Sequence, residues 1–431
     1  MKVTHKSLRT SLDQTLLRNQ AFETEKGDRI RTQVMNTLRK EFQHWCPEGQ
    51  LLPIGSYRLG IHSPDSDIDL LCLSPADYSR ESFQEVFFAQ LSLVPDVSYC
   101  YGIFSAKVPI IKLIYQGVKV DLQFASTSQD LKAINTAELE EATLLGINAY
   151  RNTEYILGVI PNLENFKVLA RTVRLWARQR NLYSGLSGCL GGISWTILSA
   201  KICLMYPSLN SIELIQQFFK VFSLWDWTVP VSLTPSPSPS LPYAGREVLM
   251  NILTPIHPCY NSAYTLISSN FSCIVEELEL ASRIVKDVIE GNHKWDALFE
   301  ELDFFQSYRY FIRVSINAVG ESEYETWSGL IFSRLKYFLQ ELERIYPGPV
   351  VGLYNRPFEG HCQQFQCCKN FFVGLKFNFP QGVKFDLRSP IYKFCSVLTE
   401  IRPSKSCMCL RVGFVPRKEL VNMCGVQGVK S

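Results

Sequence analysis

Apolar residues along the chain fall into regions of different period, and each period predicts a different element. Residues 23–45 bring Ile30, Val34, Leu38, Phe42 and Trp45 near one face, which predicts an amphipathic helix. Between 51 and 125 the short β-rich runs DIDLLCL, PIIKLIY and VKVDLQF alternate with polar turns and one helical segment near 80–93, predicting a small α/β unit. Residues 130–300 turn to helical periodicity. The run TPSPSPS at 234–240 interrupts it and can be neither helix nor central strand, so it reads as a surface loop (229–245) within one domain. From 304 onward YRYFIRVSI, FFVGLKFNF and GVKFDL read as extended, and 323–344 sets Trp327, Ile331, Leu335, Phe338 and Leu342 on one helical face. No internal repeat is visible, and the whole predicts a multidomain α+β protein.

Composition narrows this only slightly. The chain has 431 residues, 46% hydrophobic and 20% charged, enough for several cores. No stretch of eighteen apolar residues and no leader-like N-terminus is present, so neither secretion nor membrane insertion is expected. The fourteen cysteines are scattered. Even the densest group, Cys362, Cys367, Cys368, Cys407 and Cys409, lacks paired CxxC spacing, and reduced thiols in a cytosolic or nuclear protein are the expectation. The net charge of +3 hides an asymmetry: residues 351–431 hold 12 Lys and Arg against 4 Asp and Glu, and the rest is acidic on balance. A basic C-terminal region suits a polyanion such as RNA, or a solvated surface.

The chemistry concentrates in IGSYRLGIHSPDSDIDLLCL at 54–73. Side chains alternate on a strand, so Asp67 and Asp69 share a face, roughly 6.5 Å apart along the backbone, while Ile68, Leu70 and Cys72 anchor the other. In GVKVDLQFA the same alternation turns Asp121 away from Val120 and Leu122, free to join them. Three ionised carboxylates at strand ends form the hard-oxygen ligand set of two-metal phosphoryl transfer. Gly55 lets backbone approach a triphosphate, and Ser56 offers a hydroxyl and an amide. His62 has no partner nearby in the sequence and reads as structural or orienting. On NFKVLARTVRLWARQRN, Lys167, Arg171, Arg174 and Arg178 make one basic stripe, suited to phosphate or to solvent.

These segments resemble the nuclear poly(A) polymerases of eukaryotes, within the polymerase-beta-like nucleotidyltransferases. GSYRLGIHSPDSDIDLLCLSP resembles their catalytic signature, VKVDLQFA the strand of their third aspartate, and NLENFKVLARTVRLWARQRNLYSGLSGCLGGISW the helical segment beside their nucleotide. VFSLWDW, MNILTPIHPCYNSAY and KWDALFEELDFFQSYRYFIRV extend the likeness over roughly residues 15–345; the last 85 residues resemble the family weakly.

The resemblance implies a nucleotidyltransferase palm with a mixed sheet (46–130), a central helical domain (131–303) with which N-terminal helices (1–45) pack, and a C-terminal RNA-recognition-like α+β domain (304–431). It implies that Asp67 and Asp69 hold two Mg²⁺ ions, with Mn²⁺ as the alternative, that Asp121 completes the site, and that Ser56 and Ser63 lie along the triphosphate of ATP. It places Asn148 near sugar and base, Tyr183 on the nucleotide, and Gly192 and Ile193 in the adenine pocket. Arg174 stands where the family has a triphosphate lysine, Gly185 where it has an asparagine, and Ile54 where it has a phenylalanine. The implied activity is AMP addition to RNA 3′ ends by a nuclear monomer working with pre-mRNA cleavage and polyadenylation factors. A uridylate-adding relative and an inactive RNA-binding scaffold are the alternatives.

Overall fold

The computed structural model describes residues 4–131, 133–235, 248–345, 348–377, 386–401 and 407–424. Two capped helices open the chain. Thr4 accepts from the Ser7 amide at the start of α1 (His5–Arg18), and Thr24 accepts from Gly27 at the start of α2 (Glu25–Trp45). They part company in packing. Leu8, Leu12 and Leu16 of α1 join a large helical core, whereas Val34, Leu38, Phe42 and Trp45 of α2 bury against a sheet. The expectation that the N-terminal helices pack together with the central domain therefore needs correcting for α2. Its apolar stripe meets the open face of the palm sheet, where Leu70, Cys72, Val120 and Leu122 also lie.

That sheet is built from β1 (Gln50–Ile54), β2 (Ile68–Ser74), β3 (Val97–Ile103), β4 (Ile110–Tyr115) and β5 (Val118–Ser126), in the order β1-β2-β5-β4-β3. Only β2 and β5 run parallel, so the sheet is mixed. A short helix, α3 (Gly55–Leu59), links β1 to the β2 approach. Between β2 and β3, α4 (Arg80–Ser82) and α5 (Phe88–Ser92) flank a π-helical turn at Phe83–Phe87, whose two end rings pack on Trp45.

The helical body comprises α6 (Glu141–Val159), α7 (Leu163–Gln179), α8 (Gly192–Met205), α9 (Ser211–Ser223) and α10 (Ser268–Glu290). Trp176 of α7 packs edge-on to Trp195 of α8 and Phe219 of α9 at its centre. Helical periodicity overreaches on one side of the Pro/Ser run, most of which lies outside the described residues. Residues 248–267 contain no helix and instead pair through isolated bridges, Val231 with Ile252 and Leu253 with Asn261. Pro255 and Pro258 exclude helix there, and the Asn261 side chain bonds the Ile252 amide and the Met250 carbonyl in its place.

Beyond α11 (Phe304–Ser307) the chain runs β6 (Tyr310–Ala318), α12 (Glu321–Glu343), β7 (Val350–Glu359), β8 (Cys367–Lys376), α13 (Arg388–Ile401), β9 (Met408–Val415) and α14 (Arg417–Cys424). The antiparallel order β7-β8-β6-β9 gives the split β-α-β-β-α-β arrangement of RNA-recognition-like domains. One sheet face packs on α12 and α13. The other is covered at one end, where Phe311, Phe372 and Val415 bury against Phe304, Phe305 and Leu420. The extended run expected at 382–387 falls mostly outside the described residues. The described cysteines carry free thiols.

Candidate active site

Three carboxylates gather where β2 and β5 begin. Asp67 directly precedes β2, and the parallel register sets Asp69 beside Asp121. Gly55 makes room for them. It sits at φ 60°, and a Cβ there would come within 2.9 Å of the Asp69 carboxylate. Its amide donates to Thr153 Oγ1, while Arg58 pairs with Glu154 at 2.6 Å, so α3 is held to α6 from both ends.

Crowding like charges has a cost visible in their protonation. Burial, with the charges of Asp121 and Asp67 added, pushes Asp69 up to about 7, and burial and Asp121 raise Asp67 as well. Lys112, directly across from Asp121 on β4, forms an ion pair with it. Among the described residues no three His, Cys, Asp or Glu side chains stand close enough together to hold a metal ion as a group. As a donor set the site still fits divalent cations: Asp67 and Asp69 are hard carboxylates whose burial and neighbours disfavour their charge, and Asp121 adjoins them.

Two connected chambers meet at the carboxylates. One, of 670 Å³, is lined by Ser56, Ser63, Asp67, Asp69, Arg178 and Asn355 among others. The second, of 520 Å³, is lined by Gly55, Gln123, Asn152, Thr153, Gly192 and Ile193 among others. Ser56, Ile61, Asp69, Arg174 and Tyr183 border both. Gly192 stands close beside Tyr183: a Cβ there would come 2.5 Å from the phenol oxygen, so a larger residue would have to push the ring aside.

The fold thus brings Gly55, Ser56, Ser63, Asp67, Asp69, Arg174, Tyr183, Gly192 and Ile193 to one cleft. Asp121 stands beside it, turned to Lys112. Asn148 is elsewhere: it is buried, donating to the His257 carbonyl and accepting from Arg151. One turn along the same helix, Asn152 and Thr153 reach the chamber instead. Ser63 is also enclosed, bonded to Asp65 and Ser66.

The basic stripe on α7 divides on contact with the palm. Lys167 pairs with Glu164, and Arg171 donates to the Gly60 carbonyl above the Phe22 ring. Arg178 pairs with Asp65; burial works against that carboxylate's charge, but the bonds from Arg178 and Ser63 outweigh it and hold Asp65 below the usual carboxylate range. Arg174 alone of the four borders both chambers, over the Tyr183 ring and bonded to Ser66 Oγ at 2.9 Å. Lys112, Gln123, Asn152 and Thr153 were not singled out from the sequence. Lys112 carried a usable signal, since its place on the strand neighbouring Asp121 follows once that hairpin is drawn.

A parallel–antiparallel palm, a helical body and a β-α-β-β-α-β unit around such a cleft can be compared with known proteins. The family model of the poly(A) polymerase nucleotidyltransferase domain matches residues 2–160, that of the poly(A) polymerase central domain 165–301, and that of the poly(A) polymerase predicted RNA binding domain 303–364. Poly(A) polymerase of Dictyostelium discoideum is 29% identical over 96% of this chain and 56% of its own length. Nuclear poly(A) polymerase 1 of Arabidopsis thaliana is 31% identical over 88% of this chain and 56% of its own length. The chain therefore spans little more than half the length of these relatives. Among solved structures, Cid1 with its short product ApU aligns at TM-score 0.54 and 17% identity, covering 69% of this chain and 99% of Cid1. The Cid1 poly(U) polymerase with MgGTP aligns at TM-score 0.55 and 18% identity, covering 69% and 100%. The structural likeness establishes a nucleotidyltransferase fold, and with three successive domain models matched from residue 2 to residue 364, the chain belongs to the poly(A) polymerase family.

Proposed function

We propose that this chain is a template-independent polynucleotide adenylyltransferase that adds AMP from ATP to RNA 3′ ends, as in mRNA polyadenylation. The observation that carries the reading is the convergence of Asp67 and Asp69, with Asp121 adjoining, opposite Arg174 and Tyr183 in one cleft of a chain from this family. The RNA 3′-oxygen attacks the α-phosphorus of ATP, the bond from that phosphorus to the bridging oxygen breaks, pyrophosphate leaves, and the hydroxyl proton is released to solvent. Asp67, Asp69 and Asp121 would hold Mg²⁺, or Mn²⁺ in its place, which supplies charge neutralisation at the reacting oxygens.

The chain's own residues supply placement. Arg174 offers a planar, permanently charged donor to the triphosphate, Ser56 adds a hydroxyl, and Tyr183 with Ile193 bounds the second chamber as a base pocket. Adenine selection rests on that pocket, where Asn152 and Thr196 stand on the wall. Nuclear action beside pre-mRNA cleavage and polyadenylation factors is part of the same proposal, supported by the nuclear relatives. No described helix is long and apolar enough to cross a membrane.

The test is extension of an oligo(A) primer with each of the four triphosphates separately. ATP-dependent extension is expected, and preference for UTP would replace the adenylyl reading with a uridylyl one. Asp121→Ala is expected to lower extension at least roughly a hundredfold with the circular dichroism spectrum unchanged. Full activity in that variant, or none with any nucleotide in the unsubstituted chain, would sink the proposal.

A further inference from the structure

Arg31 of α2 is almost completely enclosed, at 2% side-chain exposure, and so is its partner Glu23, at 7%. Its Nε donates to Glu23 at 2.6 Å. Its Nη2 stands 3.3 Å from the Ser63 carbonyl oxygen, 3.0 Å from that of Pro64 and 2.8 Å from that of Ser66. The next residue is Asp67. A single guanidinium thus gathers the backbone of the loop that delivers the first carboxylate.

The loop has a second anchorage on its other side. Ser66 Oγ accepts from the Ser63 amide at 2.8 Å and from Arg174 at 2.9 Å, and Asp65 pairs with Arg178. The loop is therefore gripped between α2, which belongs to the palm core, and α7, which belongs to the helical body. Burying an ion pair is about neutral for stability, since desolvation offsets the attraction. Two N–H groups shared among three carbonyls at one turn, by contrast, fix backbone direction.

We propose that the Glu23–Arg31 pair is a positioning element for Asp67: it holds loop 61–66 in the one path that presents this carboxylate to a divalent cation beside Asp69. The inference rests on the functional reading above. It requires the forked geometry of arginine, because the single nitrogen of a lysine cannot bond Glu23 and the far side of the loop together.

Two variants test it. Arg31→Lys keeps the charge beside Glu23, and the double change Glu23→Gln with Arg31→Met leaves no unpaired buried charge, so cooperative thermal unfolding should be retained. Mn²⁺ binding is measured by water-proton relaxation on the full chain without nucleotide. Affinity should fall roughly tenfold in each, the loss typical of removing a group that orients a ligand, while kcat for oligo(A) extension falls in step and KM for ATP stays within about twofold. In an Asp67→Asn background, Arg31→Lys should add no further loss of Mn²⁺ affinity. Unchanged affinity and kcat in both variants, or an additive loss in that background, would overturn the inference. Mn²⁺ binding by the unsubstituted chain that ignores Asp67→Asn would instead remove the metal-site reading, and the inference with it.

Discussion

Asp69 lies between two other carboxylates and is mostly buried, so the native state holds its charge against both desolvation and repulsion. Asp69→Asn keeps shape and hydrogen-bonding capacity but removes the charge. It should stabilise the chain by about 1–3 kcal/mol at pH 8 without divalent cations, read as a higher melting temperature in chelator, while abolishing primer extension. A less stable variant would show that the carboxylate is held by attraction instead. His62 behaves oppositely. Burial and the nearby Arg31 charge lower its pKa below the usual 6.5, although Asp28 at 3.5 Å partly compensates. A group neutral in the native state binds its proton more readily when unfolded. Its contribution is thus complete above pH 6.5 and lost as pH falls through the native value. His62→Gln should flatten the decline in denaturant stability between neutral and mildly acid pH, and an unchanged slope would exclude His62 as its source.

At the scale of elements, α7 shows how one sequence stripe serves two ends. Arg171 spends its guanidinium on the Gly60 carbonyl and Phe22, whereas Arg174 faces both chambers. Arg174→Ala should raise KM for ATP by roughly tenfold or more, and Arg171→Ala should lower the unfolding midpoint while leaving KM within about twofold. Steady-state kinetics beside urea denaturation distinguishes them, and identical behaviour would mean that α7 acts as one rigid phosphate surface. At its end Asn181 adopts φ 61°, a left-handed conformation that asparagine tolerates. From there its side chain bonds Leu353 and Asn355 of β7.

Across the whole molecule, that contact and the Arg356 bonds to Glu301 and Gln179 tie the C-terminal sheet to the helical body. Asn355 and Arg356 thereby border the larger chamber. One face of the sheet packs on helices, and the other is covered by apolar side chains at its Phe311, Phe372 and Val415 end, while Arg313, Ser315, Asn370 and Arg411 continue that same face. Under the proposed function an RNA would meet this polar end, the edges and the loops rather than the apolar end. The basic excess of residues 351–431 supplies the field for a polyanion. KM for the RNA primer should accordingly rise roughly tenfold over about a fourfold increase in salt, and KM for ATP much less. Equal salt dependence for both substrates would place the effect in the catalytic cleft.

Alternation along 67–73 and 118–126 was enough to put Asp67, Asp69 and Asp121 on strand faces opposite the core, because a strand's period is a local property. The same holds for the stripe of α2 and for the 323–344 helix. Local pattern does not specify partners. Which core α2 would join, which of the four basic residues of α7 would face both chambers, and whether Asn148 or Asn152 would reach the second chamber depended on contacts between positions about a hundred residues apart, such as Gly60 with Arg171 and Asn148 with His257. The sequence by itself determined the carboxylates and their faces. Tertiary packing decided how they are held, because the Arg31 fork, the Lys112 pairing and the glycine clearances exist only once separate elements are pressed together.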